Sequence, residues 1–343
     1  VKTLLNTLYV QTQGAYLRLE GDTLKLEAPE QKDFQIPLHH LGGIVVFGNV
    51  LLSPYLIKRC AEDGRTVVWM SRSGRFVGNL RSPTSGNVLL RRAQHNALTD
   101  AAQATEIARM FVAGKLQNTR TLLTRAARET KSDEVVAVLN KVRKSLTSSL
   151  VSLERQKTLD EIRGVEGESA RLYFSVFDFL ILTNKKTFCF THRNKRPPRD
   201  PINALMSFTY ALLANECQAA CEGVGLDPQI GYLHALRPGR PSLALDLMEE
   251  LRSIFADRFV LSLVNRRQIT DADFLDRPGG SVELTEKGRK TFLVAYQKKK
   301  QEELRHPILK QSIPYALLPH IQARLLARYL RQDISVYPPF IAK

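Results

Sequence analysis

Glu166, His234, Asp246 and Glu249 are the residues whose types and spacing could do chemistry. In a basic chain, carboxylates set among cations and near phosphates are suited to holding a divalent metal. In GYLHALRPGRPSLALDLMEELR, residues 231–252, His234 sits just before an Arg/Pro/Gly loop, and Ser242 opens a helix carrying Asp246, Glu249 and Glu250. Asp246 and Glu249 are three residues apart, about 60° around a helix axis, so they share a face. Glu166 comes from a separate stretch, Arg163-Gly164-Val165-Glu166-Gly167-Glu168, placed before a helix that starts SARLYF. Glycines inside a helix cost roughly 1 kcal/mol each, so Gly164 and Gly167 point to a close approach there by another backbone or a ligand. Each piece alone also fits a plainer role: an acidic pair as a solvated face, a histidine as structure.

A second cluster is cationic. Arg193-Asn194-Lys195-Arg196-Pro197-Pro198-Arg199 places four cations in seven residues, and its double proline favours an extended segment off any helix. Such a loop can follow a phosphate backbone while Arg193, Lys195, Arg196 and Arg199 grip phosphate oxygens; a solvated loop is the alternative. The whole chain, with 50 Lys and Arg against 34 Asp and Glu, carries +16, which favours a polyanionic partner. That charge does not locate the binding face. Residues 1–85 contribute 10 − 7 = +3 and residues 86–343 contribute 40 − 27 = +13, close to proportional to length.

The elements that must position these groups divide into two kinds. TLYVQT, AYLRLE and TLKLEA alternate apolar and polar residues and are punctuated by Gly14 and Gly21-Asp22, so they read as short hairpin-linked strands. IPLHHLGGIVVFG, TVVWMS and GRFVGNL add further strands, and Ser53-Pro54 opens one helix that closes at Gly64. The patch Arg81–Gly86 marks a boundary. Beyond it, apolar residues recur every three or four positions over Leu89–Leu116, Leu122–Leu159, Ser169–Leu182, Ile202–Glu222, Ser242–Arg266, Glu286–Leu304 and Tyr315–Arg331, the pattern of bundled amphipathic helices. One hairpin, FLDRPGGSVELT, interrupts them. The expected fold is therefore α+β: an N-terminal mainly β domain over 1–82, then a larger all-α domain over 83–343 with one small β-hairpin.

Several classes fall away. No apolar run approaches the ~18 residues of a membrane span, and the opening residues turn strand-like before a signal-peptide core could form, so a cytoplasmic protein is expected. The four cysteines are too scattered for a disulfide framework. Cys217 and Cys221 are half of a metal site at most, and read better as small buried hydrophobes.

Four segments, GVEGESARLYF, RNKRPPRDPINALMSFTYALL, GLDPQIGYLHALRPGRPSLALDLMEELR and FLDRPGGSVELTEKGRKTFLVAY, occur in this order. Together they resemble the CRISPR-associated adaptation integrase, the metal-dependent nuclease that inserts new spacers into CRISPR arrays. GNVLLSPYLIKRCAEDGRTVVWMSRSGRFVGNL resembles that family's β-domain, and the opening LLNTLYVQTQGAYLRLEGDTLKLE is similar to its type I-C branch. The resemblance implies a Mn²⁺ or Mg²⁺ held by Glu166, His234 and Glu249, with Asp246 as a near neighbour or water-mediated ligand. No position departs from that pattern, and two carboxylates with one imidazole suit an open Mn²⁺ or Mg²⁺ site better than a closed structural Zn²⁺.

Further implications concern activity and partners. A 3′-hydroxyl of the incoming spacer DNA attacks the CRISPR repeat duplex by transesterification. The family works as a homodimer joined through the β-domains, bridged by a small ferredoxin-like CRISPR-associated partner dimer. In the I-C branch an iron–sulfur CRISPR nuclease is associated as well. Two other readings remain open: a metal-dependent nuclease of RNA or branched DNA without integration, and a non-catalytic nucleic-acid-binding protein.

Overall fold

Leu41–Phe47 is apolar almost throughout and buried on both faces, as a strand between two parallel neighbours must be. The computed structural model describes residues 6–29, 33–72, 76–80 and 88–342. The chain divides into two units: Val1–Gly86 with Leu284–Gln297, and Asn87–Glu283 with Lys298–Lys343. The expected boundary at 82/83, with its Arg81–Gly86 patch, lies outside the described residues.

The first unit holds β1 (Asn6–Val10), β2 (Tyr16–Glu20), β3 (Thr23–Glu27), β4 (Phe34–Pro37), β5 (Leu41–Phe47), β6 (Leu51–Leu52), α1 (Pro54–Glu62), β7 (Thr66–Met70) and β8 (Phe76–Asn79). These make two four-stranded sheets, β1-β5-β7-β8 and β4-β3-β2-β6. Both sheets and α1 share a core of Leu17, Leu24, Ile44, Val46, Leu56 and Val67. Helix α1 crosses from β5 to the parallel β7, and it starts as its sequence demands, with Ser53 Oγ accepting from Leu56 N at 3.2 Å and Pro54 in the first turn. The β2–β3 hairpin is present. The expected β1–β2 hairpin is not: β1 pairs in parallel with β5 in the other sheet. Gln13 explains the switch, because its side chain donates to Phe47 O at 2.8 Å and accepts from Asn49 N at 3.0 Å, tying the turn to the end of β5.

The second unit holds α2 (Val88–Thr99), α3 (Ala101–Glu129), α4 (Asp133–Leu153), α5 (Leu159–Ser175), α6 (Pro201–Val224), α7 (Ser242–Glu249), a π-helical turn (Arg252–Asp257) and α8 (Arg258–Asn265). Along the chain there follow β9 (Phe274–Arg277), β10 (Ser281–Leu284), α9 (Glu286–Gln301), most of which belongs to the first unit, β11 (Glu303–Arg305), β12 (Ser312–Pro314) and α10 (Leu318–Leu330). Three expected helix limits are corrected. Asp100 accepts from the amides of Ala102 and Gln103 and splits the first long helix into α2 and α3. Ser132 caps α4 in the same way. A Thr158/Glu161 capping box starts α5 early, so Gly164, Glu166 and Gly167 lie inside a helix rather than before one. The helix expected over Ser242–Arg266 is broken by the π-helical turn, and β11–β12 adds a second small two-stranded sheet. Residues 284–297, expected with the helical part, associate with the first unit, where the Arg289 guanidinium lies over the Phe47 ring at 5.8 Å. Among the described residues no helix is long and apolar enough to cross a membrane. All four cysteines are free, with Cys60, Cys217 and Cys221 buried.

The tail after α10 folds back into the second unit. Glu250, buried, accepts from Tyr337 Oη at 2.5 Å, Phe340 N at 2.6 Å and Gln322 Nε2 at 2.8 Å. Gly114 makes room for this, since a Cβ there would lie 2.8 Å from Pro339. Burial pushes the Glu250 carboxyl up to about 8 despite these donors. The folded state therefore holds a proton that the unfolded chain releases near its ordinary value of 4.5. That contribution to stability is complete below the unfolded value and is lost as pH rises through about 8. Thermal unfolding midpoints measured from pH 6 to 9 are expected to fall across the range, and Glu250→Gln to flatten the slope.

Candidate active site

His234 is delivered by a loop folded back on the start of α7. At Gly231 a Cβ would lie 2.6 Å from the Ser242 carbonyl carbon and 2.8 Å from Asp246 Oδ2, so only glycine permits the approach. Gln94 of α2 clamps the same loop, donating to Asp227 O at 2.8 Å and Ile230 O at 2.9 Å and accepting from Asp227 N at 2.9 Å. Arg163, one turn before Glu166 on α5, donates to Leu233 O at 2.7 Å.

Asp246 is wholly buried and is the hub of this loop. Its Oδ2 accepts from Tyr232 N at 2.6 Å and Leu233 N at 3.0 Å; its Oδ1 accepts from His234 N at 3.0 Å and lies 2.6 Å from His234 Nδ1. An ionised carboxylate only accepts, so Nδ1 carries the imidazole proton and the Nε2 lone pair is left free. Nε2 lies 3.9 Å from Glu249 Oε1. Both Asp246 oxygens thus serve protein donors. Asp246, expected among the catalytic residues as a near neighbour or water-mediated ligand of a metal, holds His234 in place.

Glu249 is 2 % exposed and meets two cations, Lys115 Nζ at 2.7 Å from Oε2 and Arg252 Nη1 at 3.0 Å from Oε1. Burial alone would raise its carboxyl, but the Arg252 and Lys115 cations outweigh that and hold it well below the usual carboxylate range. The same Lys115 ammonium pairs with Glu166 Oε1. Arg252 lies over the Tyr210 ring at 4.6 Å, and Tyr210 and Tyr173 donate to the buried Asp257 at 2.5 and 2.9 Å. Among the described residues, nothing beyond the neighbouring residues and the helix's own backbone lies within 4 Å of a Cβ built at Gly164 or Gly167, so no second backbone approaches α5 there.

Among the described residues, no three His, Cys, Asp or Glu side chains are gathered as they stand into a chelating group. The point on which Glu166 and Glu249 converge is taken by the Lys115 ammonium. Two carboxylates drawn to one positive centre, beside an imidazole nitrogen with a free lone pair, form a donor set that fits Mn²⁺ or Mg²⁺.

The basic loop is a tied structure rather than a loose extended one. Asn203 of α6 donates to His192 O at 2.9 Å and accepts from Asn194 N at 3.1 Å, and Asn194 Oδ1 accepts from Arg199 N at 2.7 Å. Arg193 is turned inward, donating to Asn203 Oδ1 at 2.6 Å and Ser207 Oγ at 3.1 Å, so it supports the loop. Lys195, Arg196 and Arg199 are exposed around an open concavity of about 520 Å³. Partial burial, then the nearby Arg252, Arg196, Arg193 and Arg240, hold the Lys195 ammonium below its ordinary value. Lys115, Arg252 and Arg163 contact the expected site residues or their loop and were not foreseen from the sequence. The available signal was Lys115 itself, a lysine inside the apolar stripe Phe111, Val112, Leu116 and Leu123 of α3.

The sequence profile described as CRISPR associated protein Cas1 matches residues 8–298. The chain is 53 % identical over 338 residues to CRISPR-associated endonuclease Cas1 1 of Moorella thermoacetica, covering 98 % of each. It is 38 % identical over 339 residues to a CRISPR-associated exonuclease Cas4/endonuclease Cas1 fusion of Geobacter sulfurreducens, covering 98 % of this chain and 60 % of that one. A CAS1 protein structure from Thermotoga maritima superposes with TM-score 0.81 at 26 % identity, covering 95 % of this chain and 97 % of the other. The fold is shared with a casposase bound to integration product, at TM-score 0.85, 22 % identity and coverage of 99 and 95 %. It is shared too with a chain of a Cas6-RT-Cas1–Cas2 complex, at TM-score 0.83, 20 % identity and coverage of 99 and 36 %.

Proposed function

Given that this chain belongs to the Cas1 family of CRISPR-associated proteins, and is on that ground an endonuclease of CRISPR adaptation, we propose that it joins the 3′-hydroxyl ends of short foreign DNA to a CRISPR repeat by metal-dependent transesterification. The observation that carries this reading is the convergence of Glu166 and Glu249 on one cation beside the freed Nε2 of His234. These three residues would hold a Mn²⁺ or Mg²⁺, which when bound supplies Lewis-acid stabilisation of charge on the phosphoryl oxygens.

The chain's own residues prepare that chemistry. Asp246 fixes the His234 tautomer, and Arg252 and Lys115 keep Glu249 ionised at neutral pH. Lys195, Arg196 and Arg199 bind phosphates, and the open face at Gly164 and Gly167 admits the scissile strand beside Glu166. A 3′-oxygen of the incoming DNA attacks the repeat phosphorus in line and loses its proton. One phosphodiester forms as one breaks, and the departing 3′-oxygen takes up a proton. Water in place of the attacking hydroxyl gives plain cleavage.

The protein works in the prokaryotic cytoplasm as a homodimer through its β-rich unit, with a small ferredoxin-like partner dimer. A Cas6-RT-Cas1–Cas2 complex among the structural neighbours and a Cas4/Cas1 fusion among the relatives support assembly with other CRISPR-associated proteins. The type I-C assignment rests on the opening residues, as does association with an iron–sulfur nuclease, and the fusion of a relative to the exonuclease Cas4 supports a nuclease partner.

The decisive assay combines the protein and Mn²⁺ with a supercoiled plasmid carrying a CRISPR repeat and short duplexes with free 3′ ends. Covalent joining, abolished by chelator, is expected. Cleavage alone would favour a nuclease without integration, and chelator-resistant retention alone a binding protein. A second expectation concerns Lys115. Lys115→Met leaves two carboxylates facing each other, so the metal-free protein should melt several degrees lower, and Mn²⁺ should raise the melting point more than in the parent. An unchanged response to Mn²⁺ in a melting scan would remove Lys115 from the site.

A further inference from the structure

Behind the site, three residues that each carry a buried polar atom without a protein partner line one small cavity: Ser169 of α5 with its Oγ, and Arg252 and Ser253 of the π-helical turn with Nε and Oγ. Ser169 is 3 % and Ser253 1 % exposed. The other polar groups lining the cavity are already engaged. Thr119 Oγ1 donates to Lys115 O at 2.8 Å, Tyr173 and Tyr210 donate to Asp257, and Lys115 pairs with the two glutamates. Leu116, Leu146, Ala170 and Phe174 complete the wall. About 20 Å³ is open to the centre of a water-sized sphere, slightly more than one water needs.

Buried polar groups are seldom left without a partner, and a site with room for one water and several polar groups is where such a water is held. We propose that this cavity binds a single ordered water molecule that accepts from Arg252 Nε and bridges it to Ser169 and Ser253. A water can accept the Nε–H hydrogen bond and still exchange donor and acceptor roles with two hydroxyls. The bridge has a consequence for the site. Ser169 stands one turn beyond Glu166 on α5, and Arg252 pairs with Glu249, so the water links the helix carrying one carboxylate to the cation that orders the other.

A crystal structure of the full chain at about 1.8 Å tests this, because ordered internal water is visible there without metal. A density peak is expected within about 2.6–3.2 Å of Arg252 Nε and of at least one serine hydroxyl. The same structure of Ser169→Ala/Ser253→Ala should lack the peak and show the Arg252 side chain less ordered against Glu249. A dry cavity in the parent protein, or hydroxyls turned to protein acceptors, overturns the proposal, and that result stands whether or not the double variant folds. Neither readout involves Mn²⁺ or Mg²⁺, so failure of the metal reading and failure of the water site are told apart.

Discussion

His234→Ala is expected to lower metal-dependent joining and cleavage by about a thousandfold or more while leaving the fold intact. A metal held in an active site is worth several kcal/mol of charge stabilisation in the transition state, and each ~1.4 kcal/mol is tenfold in rate. Losing the one neutral nitrogen donor leaves two carboxylates already engaged by Lys115 and Arg252. Folding should survive, because the His234 side chain is 23 % exposed and Asp246 keeps three backbone donors without it. Glu249→Ala is a poorer test. It strips a partner from two cations in a buried place, which typically costs ~3–5 kcal/mol and confuses lost chemistry with lost structure. Asp246→Asn should fall between, weakening Mn²⁺ binding by about 10–100-fold, the usual effect of losing the partner that orients a ligand. Mn²⁺ titration followed by calorimetry, beside the joining assay, checks both. Parent-level strand transfer by His234→Ala would sink the assigned site.

Removing residues 337–343 should unfold the helical unit or lower its melting point by more than about 10 °C. Tyr337 and Phe340 are 1 and 2 % exposed, and burying such side chains contributes about 1.5–3 kcal/mol each. Glu250 would lose Tyr337 Oη and Phe340 N, and Asn118, which donates to Phe340 O at 2.7 Å and accepts from Ala342 N at 2.8 Å, would lose both. Each buried group left unpaired adds ~1–3 kcal/mol, and the total approaches the roughly 5–15 kcal/mol by which a domain is stable at all. Tyr337→Phe removes only the two hydrogen bonds of the hydroxyl, donated to Glu250 and accepted from Gln322 Nε2, and should cost only a few degrees. Calorimetric melting distinguishes the cases: a truncated chain within a few degrees of the parent would show that the tail is not part of the core. Because Glu250 adjoins Glu249, partial loosening should also be visible as weaker Mn²⁺ binding.

How much could be read beforehand follows the range of the forces involved. The cap at Ser53, the Gly21-Asp22 hairpin and the Pro278–Gly280 turn are set by residues within a few positions of each other, and all are present. The α+β order, strands first and helices after, follows from local periodicity of the same kind. Helix limits were less legible where one residue decides them. Asp100 interrupts a helical pattern by offering its carboxylate to two amides, and the Thr158/Glu161 box starts α5 ahead of its glycines.

The sequence by itself determined which donors were available: Glu166, His234 and Glu249 as ligand types, Asp246 one turn from Glu249, and a surplus of cations. Only the tertiary structure decided what each one does. Asp246 is committed to His234 because amides 12 to 14 residues away in the chain fold back onto it. Arg193 is spent on α6, while Lys195, Arg196 and Arg199 stay outside. Lys115 reaches Glu166 across 51 residues. The physical reason is common to all three: a buried charge must find its partners in space, and the fold decides which ones it meets.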